Sequence, residues 1–316
     1  VLHLNDATIF MKQPTRCSAK TAHFTRIEKV LEFIHEHLFL TLSLDDLAQK
    51  SCWSRWQLQR VFTAETGVNV AQYIREIKLS RAAEQLLDNS SERVLDVALS
   101  FGFNSEVSFS RAFKQFFGCS PRDYRKRGIR TGLRQPITSA SNHDQERTDL
   151  QSIPHFTHIR IEHKDAFALA GHHGEISGLF SDQPDFQQSV PRIWREFELL
   201  KTSSHPVDEP PLRPIRYGVI DTLTIGADHL TYWAAEAVSE QTYGSLPSIV
   251  IPKQEYAVLP HRGPIEGLKP KLEWFFTCWL PQSGYSGVDG FELEIYSENY
   301  QLDSEDAYME YWLPIE

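Results

Sequence analysis

Apolar residues in the first part of the chain recur at helical spacing. Phe24, Ile27, Val30, Leu31, Ile34 and Leu38 fall on one face at 3.6 residues per turn. Between 23 and 127 the pattern is interrupted only by punctuation residues such as Gly67, Gly102, Gly118 and Pro121, so this stretch predicts an all-helical domain. From about residue 156 the period changes to 2. Short alternating segments at 156–163, 166–173, 215–220, 230–238, 248–252, 256–261, 291–296 and 308–315 predict strands. Two amphipathic stretches, 193–200 and 272–280, predict helices among them, which makes the second half an α+β domain. The organisation expected is a tail at 1–22, a helical domain at 23–127, a loose polar connector at 128–155 and an α+β domain at 156–316.

The helical half is one module written twice. At an offset of 50, Ala48 meets Ala98 and Trp53 meets Phe103; at 51, Leu58 meets Phe109, Arg60 meets Arg111, Phe62 meets Phe113, Gly67 meets Gly118 and Tyr73 meets Tyr124. The added residue falls in or just after a turn, where a loop absorbs it. Each copy predicts a short helix, a tight turn and a second helix, with Ser54 capping one second helix and Asn104 or Ser105 the other. Small Ala48 and Ala98 let the helices cross closely. Gly102 supplies a positive φ for the second turn, whereas Cys52 occupies that place in the first. A cysteine there costs about 1 kcal/mol, so an irregular first turn is expected. The pattern is a helix-turn-helix, whose second helix enters the major groove.

Charge sharpens this reading. The whole 316-residue chain carries −10, but residues 1–135 hold 20 Lys/Arg against 14 Asp/Glu, and the remainder 12 against 28. Basic surface is the electrostatic footprint of a polyanion binder. The outward face of the first second-helix offers Arg55, Trp56, Gln59 and Arg60. Gln reads adenine, Arg reads guanine, and Trp packs on a thymine methyl. The second copy offers Ser105, Glu106, Val107, Ser110, Arg111 and Lys114. Arg111 and Lys114 suit phosphates and Glu106 suits cytosine, so weaker base reading is expected there. The run Arg125, Lys126, Arg127, Arg130 and Arg134 could follow a phosphate backbone.

The segment ALSFGFNSEVSFSRAFKQFFGCSPRDY, with SLDDLAQKSCWSRWQLQRVFTAETG before it, resembles the signature of the AraC/XylS family of bacterial transcription regulators, in its Rob-like branch. The resemblance implies two helix-turn-helix units joined by a long helix at about 70–87. It also implies recognition helices in successive major grooves, about 34 Å apart. Double-stranded DNA and RNA polymerase are the partners it implies, as for an activator.

The acidic half is also a duplication. At an offset of 89, Lys164 meets Lys253, Phe167 meets Tyr256, His172 meets His261 and Gly174 meets Gly263; at 79, Tyr217 meets Tyr296, Tyr232 meets Tyr311 and Trp233 meets Trp312. Two βαββ units side by side enclose a cleft at their junction. Glu294 is matched by Ile215 and Glu292 by Arg213, so one copy presents carboxylates where the other does not. Glu292, Glu294 and Tyr296 alternate onto one face. A carboxylate among aromatic rings suits an organic cation. This half resembles the GyrI-like effector-binding domains through YAVLPHRGPI and FELEIY. That resemblance implies a pocket for an amphipathic, often cationic, small molecule. It places Glu294 as the anion, with Trp233, Trp274, Tyr296 and Tyr311 as walls.

Other chemistry finds little support. There is no P-loop, GxSxG or GxGxxG, and His155, His158, His163, His172 and His173 lack a recognised metal spacing, so neither metal nor cofactor is expected. Four well-separated cysteines suit a reducing compartment, and no apolar run approaches the roughly 18 residues of a membrane helix, so a cytoplasmic, nucleoid-associated protein is expected. Two rival readings stay open: an architectural DNA-binding protein, and a hydrolase fused to a DNA-binding domain with Glu294 as general base.

Overall fold

The structure is a computed structural model that describes residues 19–89, 91–139, 156–179, 181, 183–204, 215–223, 229–237 and 246–316. Its first half is helical: α1 Ala19–Glu36, α2 Leu44–Ser51, α3 Arg55–Thr66, α4 Val70–Asp88, α5 Val94–Ser100, α6 Glu106–Phe117 and α7 Pro121–Arg127. The expected caps form. Ser54 and Gln57 make a reciprocal capping box at α3, and Ser105 caps α6 by accepting from the Ser108 N–H. Ile27, Val30, Leu31, Ile34, Leu47, Leu58 and Phe62 fill a core under the first unit, and Val94, Val97, Ala98, Phe109 and Phe113 fill one under the second. Helix α4 serves both, giving Val70 to Ile77 to the first core and Leu79 to Leu86 to the second.

The first turn is regular, contrary to expectation. Cys52 sits at φ 56 as the one non-glycine with positive φ among the described residues, and Gly102 sits at φ 76. In both turns the next N–H bonds back to the crossing alanine, Trp53 to Ala48 at 3.1 Å and Phe103 to Ala98 at 3.0 Å. Helix packing fixes the turn, so the Cys52 backbone is held in the left-handed region at a cost in strain.

The second half is a nine-stranded antiparallel sheet with helices. Its elements are β1 Leu133–Arg134, β2 Thr138–Ser139 and β3 Phe156–Thr157 (a separate small pair), β4 Arg160–Lys164, β5 Phe167–Ile176, α8 Phe186–Ser204, β6 Arg216–Asp221 and β7 Leu230–Ala237. They continue with β8 Ser248–Ile251, β9 Gln254–Arg262, α9 Leu268–Trp274, a π-helical turn Phe275–Trp279, α10 Leu280–Ser283, β10 Phe291–Tyr296 and β11 Tyr308–Ile315. The strand order is β1-β4-β9-β11-β10-β6-β7-β5-β8. The copies therefore meet at β10 and β6 and exchange their leading strands: β4 pairs with β9, and β8 with β5.

The exchange forces curvature. β4 and β5 lie on opposite flanks of the sheet, yet only residues 165–166 join them. The sheet must curl until those flanks approach. Lys164 accordingly stands 5.0 Å from the Phe167 ring and 5.1 Å from the Trp312 ring. The inner face holds Tyr217, Val219, Trp233, Tyr256, Val258, Leu293 and Trp312. Both α8 and α9 pack on the outer face.

Residues 128–139, expected as part of a loose connector, form a strap between the halves; 140–155 lie outside the described residues. β1 extends the sheet by pairing with β4, and Leu133 and Ile137 enter the cores of the second and first helix-turn-helix units. The paired tyrosines of the repeat grip the strap. Tyr124 Oη donates to the Thr131 carbonyl and accepts from its N–H, while Tyr73 Oη accepts from the Ile137 N–H at 3.0 Å. Between them Ser80 Oγ accepts from the Arg134 N–H at 2.8 Å. Three of the five residues of the basic run find partners within the protein, while Lys126 and Arg127 are exposed. Arg125 donates to the Leu86 and Glu92 carbonyls, Arg130 pairs with Glu255 and Asp88, and Arg134 pairs with Glu76. Of the tail expected at 1–22, residues 1–18 lie outside the described residues and 19–22 belong to α1.

Candidate functional site

The α3 surface presents its polar face to solvent. Trp56 is 64% exposed, and Arg60 lies over its indole at 5.2 Å, so the two side chains brace each other. Gln59 is half-buried beside them. Arg55 pairs with Asp45 at 3.1 Å on α2. On α6, Arg111, Lys114 and Val107 are exposed, and Ser105 and Ser110 are half-buried. Glu106 pairs with Arg122 at 3.3 Å. The inward residues Leu58, Phe62, Phe109 and Phe113 are fully buried, which aims both polar faces outward.

The second half contains a cavity of about 1020 Å³ on the outer face of the sheet, between α8, α9 and the junction strands β6 and β10. Ile176, Val190, Trp194, Ile220, Leu230, Leu268, Leu272 and Phe276 make its walls apolar. Glu292, Glu294 and Tyr296 project into it from β10, Tyr311 from β11 and Tyr232 from β7. Glu294 Oε2 accepts from Tyr232 at 2.7 Å and Tyr296 at 2.5 Å; Tyr232 in turn accepts from Trp194 Nε1 at 3.0 Å. Tyr311 donates to Glu292. Burial pushes the Glu292 carboxyl up to about 7, the Tyr311 bond opposes this, and neighbouring Glu294 adds to it. Burial likewise raises Glu294 against two tyrosine hydrogen bonds.

Two of the expected wall residues are elsewhere. Trp233 follows Tyr232 on β7, so it points to the inner face, where its ring lies 4.5 Å from that of His173. Trp274 is 5% exposed in the core that joins the sheet to α4 and α6. The cavity takes Trp194 and Phe276 in their place. Neither carries a mark in the sequence, because Trp194 and Phe276 lie outside the matched YW pairs of the repeat.

Register also corrects the pairing of the copies. Glu294 pairs with Tyr311 and Ile220 with Tyr232, so with those tyrosines as counterparts it is Ile220 that stands where Glu294 does. Ile215 lies outside β6, Arg213 lies outside the described residues, and Tyr217 faces the opposite side from Tyr296. The contrast survives: both Ile220 and Glu294 line the cavity, one apolar and one acidic. Gly218 lies against the Tyr232–Glu294 contact. A Cβ there would come within 2.6 Å of Glu294 Oε2, so only glycine leaves room for the tyrosine–carboxylate contact.

Among the described residues no His/Cys/Asp/Glu group is arranged to hold a metal ion, and no helix is long and apolar enough to cross a membrane.

Comparison with known proteins agrees with this geometry. A helix-turn-helix domain family matches residues 47–127, and the GyrI-like small molecule binding domain family matches 157–316. The transcriptional regulator Rob of Salmonella typhimurium is 25% identical over 85% of this chain and 89% of its own length. The transcriptional activator AarP of Providencia stuartii is 38% identical over 37% of this chain and 87% of its own. An HTH-type regulator of Escherichia coli, YkgA, is 45% identical over 32% of this chain, which spans 42% of that relative. The chain belongs to the AraC-type DNA-binding transcription regulators, and its second half is a GyrI-like small-molecule-binding domain.

Proposed function

We propose that this chain is a cytoplasmic transcription activator whose GyrI-like domain senses an amphipathic organic cation. Helices α3 and α6 contact DNA. Trp56, Gln59 and Arg60, with Arg55, read bases on the first half-site. Arg111 and Lys114 hold phosphates on the second, with Ser105, Glu106 and Ser110 beside them. Because one chain carries both reading heads, it binds an asymmetric site as a monomer and presents a surface to RNA polymerase. In the second domain, Glu294 is the anion that meets the cation, and Tyr296, Tyr311, Tyr232 and Trp194 surround it.

The observation that carries this reading is the pair Glu292 and Glu294 at the floor of a large apolar cavity, with no cation among the described side chains paired to either. A buried carboxylate without a counter-ion is costly, and a bound cation removes that cost. Aromatic rings add cation–π attraction. An architectural role would leave a cavity of this size without a purpose.

The test is calorimetric titration of the full chain with tetraphenylphosphonium and with its neutral relative triphenylphosphine oxide. Glu294→Gln is expected to weaken the cation about tenfold or more and the neutral compound about twofold or less. Equal weakening of both overturns the charge pairing. Hydrolysis of an ester probe such as p-nitrophenyl acetate by the full chain, lost in Glu294→Gln, favours the hydrolase reading.

A further inference from the structure

The same cavity holds a second polar end that the cation reading does not use. Arg216 lines it from β6, where it is the register partner of Tyr296. Its guanidinium lies 5.7 Å from the Trp194 ring centroid and donates to the Tyr300 carbonyl at 3.2 Å. It forms no ion pair among the described residues; most of the lining around it is aromatic or aliphatic, with Arg195, Glu266 and Lys269 also on the wall. A guanidinium has five donors, and the Tyr300 carbonyl occupies one of them. Tyr300 lines the cavity beside it, ring against Tyr296 at 4.8 Å, and its hydroxyl is buried with no hydrogen-bond partner. Buried hydroxyls ordinarily have partners. An arginine with free donors and an orphan hydroxyl, side by side in one pocket, both lack the same thing: an acceptor-rich group.

Glu294 pairs with Gly218, two residues along β6 from Arg216. Such diagonal neighbours sit roughly 7–8 Å apart at the backbone. One small molecule can therefore span the carboxylate and the guanidinium. Resting on the reading of the cavity as a ligand site, we infer that the effector is bipolar. Its apolar body fills the walls, its cationic or donor group meets Glu294, and an anionic group such as a carboxylate or sulfonate takes the fork of Arg216 with the Tyr300 hydroxyl. This subsite separates the effector from a simple lipophilic cation. It also accounts for a cationic side chain lining a cavity whose floor is acidic: like ends would repel, whereas opposite ends orient one ligand in one direction.

Three probes sharing one chain test it on the intact protein: octyltrimethylammonium, octyl sulfonate, and the zwitterion in which an octyldimethylammonium carries a three-carbon sulfonate arm. The zwitterion is expected to bind about tenfold more tightly than the cation, the gain of one charge-assisted bidentate contact. Arg216→Gln is expected to erase that advantage and leave the cation's affinity within about twofold. Tyr300→Phe, which keeps the ring and so the packing, is expected to take about threefold from the zwitterion alone, one neutral hydrogen bond's worth. Thermal melts of both variants check that each folds. A zwitterion no tighter than the cation, with Arg216→Gln silent, overturns the bipolar subsite while leaving the cation site standing. Binding of none of the three sinks the cavity reading and this inference together.

Discussion

In the DNA-binding half, the two copies keep apart. The two helix-turn-helix units fill separate cores, the second continuous with the outer face of the sheet, and α4 and the strap join them. In the effector half the copies interlock. They share one sheet, exchange their leading strands and build one cavity at their seam. A duplication that must present two similar surfaces retains its pattern in both copies. A duplication that builds one site can let them diverge at the seam, and there Ile220 faces what Glu294 faces from the other copy. The same contrast holds inside the first half. Its repeated inward residues match closely, while the outward positions differ, Trp56 and Gln59 against Val107 and Ser110.

The largest effect expected is on DNA recognition. Trp56→Ala with Arg60→Ala should lower affinity for the specific site about 100-fold, from two base contacts at about 1–3 kcal/mol each. Lys114→Ala should weaken specific and random DNA alike and reduce the salt slope by about one. Fluorescence anisotropy on both DNAs across a salt series measures this. A double variant that binds its site unchanged would remove α3 from the interface.

Next comes the strap. Ile137 is 1% exposed in the first core, and Ile137→Ala should cost about 2–5 kcal/mol, seen as a lowered denaturation midpoint. A change under about 0.5 kcal/mol would mean the strap is not tied to that core.

A smaller, two-signed effect compares the turns. Gly102→Ala should destabilise by about 1–2 kcal/mol, because its φ is +76 and its Cβ would lie 3.2 Å from Lys78 Nζ. Cys52→Gly should stabilise by about 0.5–1 kcal/mol by relieving a non-glycine φ of 56. If both changes destabilise, strain at Cys52 is not the difference between the copies.

The most subtle effect is in the pH dependence of stability. Glu292 is raised in the folded protein to about 7. A raised carboxyl favours the folded state while protonated. Its contribution is therefore complete below the ordinary glutamate range and is lost as pH rises through about 7. Glu292→Gln should flatten the fall of melting temperature over that interval, and an unchanged profile would count against a buried, protonated Glu292. Glu294 moves in the same direction, so cation affinity should rise with pH as the floor loses its protons.

Much of this was legible in the residues. Apolar spacing marked the helices, and the paired Gly67 and Gly118 close α3 and α6 in the left-handed conformation. FELEIY and its partner strand gave the bounds of β10 and β11, and alternation put Glu292, Glu294 and Tyr296 on one face. The strap was not legible, because a few polar residues and three isolated aliphatic ones, Ile129, Leu133 and Ile137, resemble any loop. Their role depends on two cores and a sheet edge distant in sequence. Nor was Arg216 or Tyr300, since a single arginine or tyrosine carries no pattern until the fold supplies its neighbours.

What the sequence determined by itself was local and periodic: which residues turn inward, where helices are capped, that each half is written twice, and which β10 side chains share a face. These depend on backbone geometry that repeats every few residues. What tertiary structure alone decided was which side of the sheet carries the helices, which tryptophans meet the cavity, and which residue of one copy opposes Glu294 in the other. Those follow from strand exchange and register between segments many residues apart. A shift of one position reverses every side chain, and no short-range pattern records it.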